Sequence, residues 1–421
     1  MISHGGIDTL KPAFLVPTNF SIDEVVDPAV VKAQAATPFP PPFPLGTLLA
    51  FTGTFTGHGL NTIFRPDSAK TPTPMPVLPN TTDPPDNVLE LNLTDETLSF
   101  QDNLVSIPNR GSNQQADKFL NGVPYTQSIS DVTFGKSTGI HFEPGIWLVV
   151  PATDNPKEPI TVARMASVPH GVTIIAQGVA LPPTAGKPNI PKVDITPLLK
   201  GSPANPITFQ NQTAANKTTR RIPQDLTTFI ASGKITQAII NDPNTLLHTQ
   251  IQNQTITQTI QIEISTHPGK PLSGGPLAAG TPAAPNFGGG VSNIAFLPAQ
   301  ANPQPGGANS NANTVQMDAI FWIETVVYEI DVPPMPEGTP PVTLNPVQKG
   351  KVPLVPSFVA AIPFVPGKGF KGGIVKVSTT QIQYSQKVML DFAALSWPHV
   401  SVASLVPAAP IPIPESLLPL T

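Results

Sequence analysis

Hydrophobic and polar residues alternate along many stretches of the chain, the pattern of β-strands that bury one face. In Thr255–Thr266 the residues of one face are Ile256, Gln258, Ile260, Ile262 and Ile264. In Val375–Phe392 one parity carries Ile382, Tyr384, Val388, Leu390 and Phe392. The same reasoning predicts further strands at Leu48–Phe55, Asn87–Leu93, Val123–Ile129, Gly139–Val150, Ile160–Ser167, Gly171–Gln177, Val315–Val332 and His399–Val406.

The middle of the chain departs from this pattern. Helices are predicted at Leu226–Ala231 and Thr245–Gln252, each opened by a proline-containing start signal. The run Gly288-Gly289-Gly290 has no strand before it and no helix after it, so it predicts a loop and not a phosphate site. The predicted boundaries are a Pro-rich arm at 1–46, barrel segments at 47–181 and 315–406, a mixed insertion with one hairpin-type strand at 182–314, and a Pro-rich tail at 407–421.

Proline strengthens the prediction of fold class. The chain has 55 prolines among 421 residues. Proline has no backbone N–H and breaks helices, whereas apolar β-branched runs recur between the prolines here. We therefore predict an all-β protein, an antiparallel β-barrel with a long mixed insertion and extended Pro-rich arms.

Charge and cysteine content limit the partners. The chain has 23 Lys and Arg, 27 Asp and Glu, and no basic cluster, so no nucleic-acid partner is predicted. It has no Cys, which excludes thiolate chemistry and disulfides. No apolar run is long enough for a membrane span. Met1–Phe20 lacks a signal-peptide pattern, so a cytoplasmic location is expected, with secretion left open as the alternative.

Catalytic motifs are missing, and the candidate chemistry lies in two strand-rich segments. The first contains His141, Glu143, Trp147 and Arg164, and the second contains Tyr384, Trp397 and His399. A carboxylate such as Glu143 within an apolar strand faces solvent, pairs with a cation such as Arg164, or lines a polar cavity. His399 is either a ligand-binding residue or an exposed histidine after a Trp-Pro turn.

These two segments resemble the nitrobindins, haem-binding barrels related to the lipocalins and fatty-acid-binding proteins. His141, Glu143 and Gly145 match a His-x-Glu-x-Gly strand of that family. His399, followed by alternating apolar positions near the chain end, matches the family's final strand. The chain departs from the family in its greater length, in Pro398 before the histidine, and in lacking the closing arginine.

The resemblance implies a calycin-like barrel that binds haem, with His399 as the axial ligand of the iron. It implies that His141, Glu143, Trp147, Arg164, Tyr384 and Trp397 surround the ligand. Any activity would then concern small oxidants or nitrogen oxides.

Two other functions are compatible with the sequence. The first is a structural or interaction protein without a cofactor, in which the Pro-rich arms 1–46, 333–370 and 407–421 mediate assembly, including assembly into a homo-oligomer. The second is an enzyme that uses carboxylates in the pocket, as in an isomerase or dehydratase. Whether the protein is an enzyme therefore stays open at this point.

Overall fold

The structure, a computed structural model, describes residues 43–69, 72–82, 86–155, 157–200, 202–267, 289–293, 312–348, 350 and 354–421. These residues belong to one compact unit, Pro42–Thr421. Most of the predicted arm at 1–46, and Gly288 of the predicted glycine loop, lie outside the described residues.

Ten antiparallel strands form a closed ring. They are β1 (Thr54–Pro66), β2 (Asn87–Phe100), β3 (Lys118–Asp131), β4 (Thr138–Val150), β5 (Thr161–Val168), β6 (Val172–Ala180), β7 (Thr255–Ser265), β8 (Asn313–Val332), β9 (Gly373–Phe392) and β10 (Leu395–Pro407). Each strand pairs with the next, and β10 pairs back with β1. Closure removes the exposed edges that an open sheet would have. The predicted all-β antiparallel barrel is confirmed.

Two glycines of β1 allow the ring to close. A Cβ atom on Gly57 would lie 1.9 Å from the backbone oxygen of Ser404, and one on Gly59 would lie 2.2 Å from that of Val402. Only glycine lets the two backbones approach this closely. The predicted first strand, Leu48–Phe55, is wrong in its position along the chain. Residues Gly46–Ala50 form a 3₁₀ helix, and β1 begins at Thr54.

The lumen of the barrel is packed with apolar side chains at one end. Phe51, which follows the 3₁₀ helix, stacks on Phe100 with ring centroids 4.6 Å apart and meets Trp147 edge-on at 5.3 Å. Leu48 of the same helix is fully buried beside them. The helix and the residue after it therefore fill this end of the lumen.

A second apolar core lies on the outer face of the ring. There the three short helices α1 (Thr227–Ala231), α2 (Gln237–Asn241) and α3 (Thr245–Ile251) help to cover β1, β2, β8, β9 and β10. Both predicted helices are present as α1 and α3, and the sequence missed α2. None of the helices among the described residues is long and apolar enough to cross a membrane.

Short elements complete this outer layer. A three-stranded sheet of Val342–Leu344, Phe358–Ala360 and Ile411–Pro412 holds the Pro-rich segments against the barrel of their own chain. The other short strands are Ile107–Asn109, Thr153–Asp154, Lys157–Glu158, Thr184–Ala185, Leu198–Leu199, Ser202–Pro206, Arg221–Ile222 and Gly290–Asn293. Further 3₁₀ helices lie at Gln210–Gln212 and Glu415–Leu417.

The segment predicted as the insertion contains a full strand of the ring and several short strands. One of these, Gly290–Asn293, begins in the predicted glycine loop and pairs with β6. Thr255–Ser265 is β7 of the ring, between β6 and β8, although the sequence placed it in the insertion. A β-bulge at Thr257 shifts its register against β8. Ile256 therefore packs in the outer core while Ile262 and Ile264 face the lumen, so the predicted single isoleucine face is wrong at Ile256.

A cavity at the open end of the barrel

The open end of the lumen contains a cavity of about 570 Å³. Strands β1, β2, β4, β5, β6, β8, β9 and β10 contribute to its wall. Its apolar lining includes Ile63, Ile140, Val168, Val172, Ile174, Met317, Val388 and Leu390, and its polar lining includes Asn61, Asn92, His141, Glu143, His170, Thr314, Gln386 and His399. A concave site with mostly apolar walls and a few convergent polar groups is typical of small-molecule binding sites.

His399 lies in the wall formed by β10. Its Nε2 accepts a hydrogen bond from Asn61 Nδ2 at 2.7 Å, and the same amide nitrogen donates to Ser401 Oγ at 2.9 Å. Burial and, to a smaller extent, the nearby His141 and His170 together lower the pKa of His399 to about 3. The imidazole is therefore neutral at physiological pH.

Two more histidines lie near the β4 wall of the cavity. The rings of His141 and His170 have centroids 5.7 Å apart, and His170 Nε2 donates to the carbonyl of Ile140 at 3.0 Å. Burial lowers the pKa of His170, and His141 adds to this effect. His141 Nε2 lies 3.3 Å from Glu143 Oε2, so a buried carboxylate orients this ring.

An ion pair forms the floor of the cavity. Arg164 Nη2 contacts Glu143 Oε1 at 2.5 Å, Arg164 Nη1 donates to Gln386 Oε1 at 2.7 Å, and Tyr125 OH donates to Glu143. Burial alone would raise the pKa of Glu143, but Arg164 and His141 outweigh it and lower this pKa to about 2. The floor therefore carries one positive and one negative charge that compensate each other.

A second buried carboxylate lies deeper in the lumen. Glu96 Oε2 accepts hydrogen bonds from Tyr384 OH at 2.6 Å and Gln127 Nε2 at 3.3 Å, and Oε1 accepts one from Thr94. No cation contacts it among these groups, and burial raises its pKa despite the three donors. Glu96 and Glu143 are thus two lumenal carboxyl groups with opposite shifts.

The His-x-Glu-x-Gly strand has a physical explanation in β4. Alternate residues of a strand share a face, so His141, Glu143 and Gly145 all point into the lumen. The histidine lines the cavity and the glutamate forms its floor. A Cβ atom on Gly145 would lie 2.6 Å from the ring of Tyr125, so the glycine makes room for the tyrosine that donates to Glu143.

The structure brings only some of the predicted site residues to the cavity wall. His141, Glu143 and His399 line it, and Arg164 lies directly beneath, bonded to Glu143. Tyr384 lies deeper, beside Glu96. Trp147 packs in the end filled by the 3₁₀ helix, and Trp397 stacks on Phe392 in the outer layer with centroids 4.6 Å apart. Their predicted contact with a ligand stays a prediction.

Sequence reasoning missed seven polar residues of the wall: Asn61, Arg65, Glu90, Asn92, His170, Thr314 and Gln386. Gln386 interrupts the apolar face of β9, which was the available signal. His170 lies in the tight turn between β5 and β6. That turn stands at the rim of the cavity, which the sequence could not reveal.

Metal ligation by the protein alone has no support among the described residues, where no three His, Asp or Glu side chains are grouped so as to hold an ion. A single histidine ligand to an iron already held by a porphyrin needs no such group.

Comparisons with known proteins add little to these observations. Models of known protein families gave no match, and characterised protein sequences gave none either. A solved structure titled "Crystal Structure of Rv2717c from M. tuberculosis" aligns with 10% identity over 87% of this chain and 97% of that chain, with a TM-score of 0.31. The barrel is therefore assigned from the strand pairings of this chain, and this fold is compatible with a ligand-binding protein.

Proposed function

We propose that this protein binds haem, or a flat apolar ligand of similar size, in the cavity at the open end of the barrel. The observation that carries this proposal is a neutral histidine, His399, in the wall of a large and mostly apolar cavity. Neutral imidazole is a common protein ligand of haem iron, and the chain has no cysteine to serve instead.

The chemistry of the residues that line the cavity supports this proposal. Ile63, Val388 and Leu390 offer apolar surface to the faces of a flat ring, and His399 offers a lone pair for the iron. At the rim, the guanidinium of Arg65, 2.7 Å from Glu90, offers donors to a carboxylate substituent. When bound, haem would supply an iron centre for reaction with small oxidants or nitrogen oxides.

The interior charges favour a ligand whose buried part is uncharged. Arg164 and Glu143 compensate each other at the floor, and Arg65 and Glu90 do so at the rim. An ionised group placed between these pairs would lose hydration without gaining a counter-charge. The alternative function, assembly through Pro-rich segments, remains a prediction, and the described parts of 333–370 and 407–421 pack on their own barrel.

The test is an absorption spectrum of protein expressed with haem supplied, compared with His399→Ala. We expect a Soret band in the wild type and at least about tenfold weaker haem binding in the variant, since iron would lose its axial ligand. His248→Ala, an exposed residue of α3, is the matched control and should bind as the wild type does.

If the ligand is apolar but contains no metal, the two variants should give a different pattern of binding. In that case Val388→Trp, which fills the cavity, abolishes binding of a fluorescent apolar dye, while His399→Ala keeps it. Absence of a Soret band in folded wild-type protein refutes the haem proposal, and absence of both haem and dye binding refutes the binding function altogether.

A further inference from the structure

The side-chain amide of Asn61 connects two residues of β10 across the seam that closes the barrel. Asn61 lies opposite Ser401 in the β1–β10 pairing, and His399 shares the lumenal face two residues earlier. The amide nitrogen is 2.7 Å from His399 Nε2 and 2.9 Å from Ser401 Oγ. Asn61 itself is buried, with 8% of its surface exposed.

This geometry has a consequence for the histidine ring. An amide NH₂ has two hydrogens, and the two contacts use one each. A donor directed at Nε2 requires a lone pair on that nitrogen, so in the neutral ring the proton is on Nδ1. Ser401 Oγ accepts the second hydrogen and thereby holds the amide in this orientation.

We propose that Asn61 is a positioning residue that holds His399 in the Nδ1–H tautomer, so that the cavity selects ligands presenting a Lewis-acidic metal centre or an N–H or O–H donor to Nε2. The proposed preference for such ligands rests on the proposed binding function. The tautomer of His399 is a property of the ligand-free protein and can be measured without any ligand.

The amide also competes with the ligand. A ligand can bind the Nε2 lone pair only if it displaces the Asn61 hydrogen bond. It must therefore interact with that lone pair more strongly than the amide hydrogen does. A metalloporphyrin meets this condition. The two inner N–H groups of the same porphyrin without metal lie in the ring plane and point to its centre, so they are poorly directed to donate to an Nε2 that approaches a face of the ring. Selectivity for the metal-containing form is therefore expected.

The tautomer is tested by long-range ¹H–¹⁵N spectra of ¹⁵N-labelled, ligand-free protein, with the His399 signals assigned by their loss in His399→Ala. In the wild type we expect a protonated Nδ1 and an unprotonated Nε2. In Asn61→Asp the carboxylate accepts where the amide donated, so a proton should appear on Nε2. A protonated Nε2 in the wild type, or an unchanged ring in folded Asn61→Asp, overturns the proposal.

Ligand selection is tested with iron protoporphyrin, zinc protoporphyrin and metal-free protoporphyrin. The wild type should bind the two metal forms at least about tenfold more tightly than the metal-free form, and Asn61→Asp should lose this preference. Equal binding of all three by the wild type overturns the proposed preference for metal-containing ligands. Binding of none of the three, with the expected tautomer, would instead refute haem as the ligand while leaving the positioning role of Asn61 intact.

Asn109→Asp serves as the matched control, because it makes the same amide-to-carboxylate change at an exposed residue outside the cavity. We expect its ring spectrum to keep the wild-type tautomer. Circular dichroism of each variant verifies that the barrel has folded.

Discussion

The lumen of the barrel and the outer layer over β8 each bury a glutamate, and the two carboxyl groups differ in charge. Glu143 in the lumen is 1% exposed and contacts Arg164, Tyr125 and His141. Glu324 on the outer face of β8 is fully buried. Among the described residues it has one donor, Gln381 Nε2 at 2.5 Å, and its Oε1 has no hydrogen-bond partner.

This difference shows that burial alone does not fix the charge of a carboxyl group. Burial raises the pKa of Glu324 to about 8, because a single amide donor does not offset the loss of hydration. At Glu143 the same effect of burial is outweighed by a guanidinium. The carboxylate of Glu143 is therefore charged and orients His141, whereas the carboxyl group of Glu324 is mainly neutral at pH 7.

The largest effect is expected from breaking the lumenal ion pair. Arg164→Met leaves Glu143 buried without its cation, which should lower the free energy of unfolding by about 3–5 kcal/mol. Urea denaturation at neutral pH measures this loss. The variant Arg164→Met/Glu143→Gln should recover much of the stability, since no unpaired charge remains.

Equal stability of the single and double variants would contradict this account of the lumen. It would mean that Arg164 acts through packing on the rings of Tyr125 and Phe321, each 5.5 Å from its guanidinium carbon.

The outer glutamate should give the protein an alkaline sensitivity. Because the folded pKa of Glu324, about 8, lies above the unfolded value near 4.5, its contribution to stability is full below pH 4.5 and declines as the pH rises through 8. The slope is about 1.4 kcal/mol per pH unit at most. Glu324→Gln removes this slope, so the variant should exceed the wild type in stability above pH 8.

Glu263→Gln is the control for this prediction, because Glu263 is a partly exposed carboxylate on the adjacent strand β7. Urea denaturation across this pH range should give parallel curves for Glu263→Gln and the wild type. A Glu324→Gln curve parallel to the wild type would show that the outer carboxyl group finds a partner on ionisation.

The smallest effect concerns the helices that cover the outer face. Thr236 caps α2 by accepting a hydrogen bond from the backbone nitrogen of Ile239 at 3.3 Å. Thr236→Ala should cost about 1 kcal/mol in thermal or urea unfolding and leave the lumen unchanged. Thr249→Ala, at an exposed position inside α3, should cost less. A larger loss at Thr249 would reverse this ranking.

Local patterns predicted much of the barrel. The predicted strand Val375–Phe392 lies within β9, and the predicted strands Ile160–Ser167 and Gly171–Gln177 correspond to β5 and β6. The prediction failed where one residue changes the parity of a strand, as at the bulge of Thr257, or where a polar pattern hides a strand, as at Gly57–Gly59. Such features depend on the partner strand, which a local pattern does not contain.

The sequence by itself determined the fold class and the strand that carries His399, because alternation and proline content act over a few neighbouring residues. Only the tertiary structure decided that His399 faces the lumen and not the outer core, and that a 3₁₀ helix fills one end. The reason is distance along the chain: Asn61 and His399 are 338 residues apart and meet only where the ring closes. The cavity exists because ten strands from distant parts of the chain pair in one register.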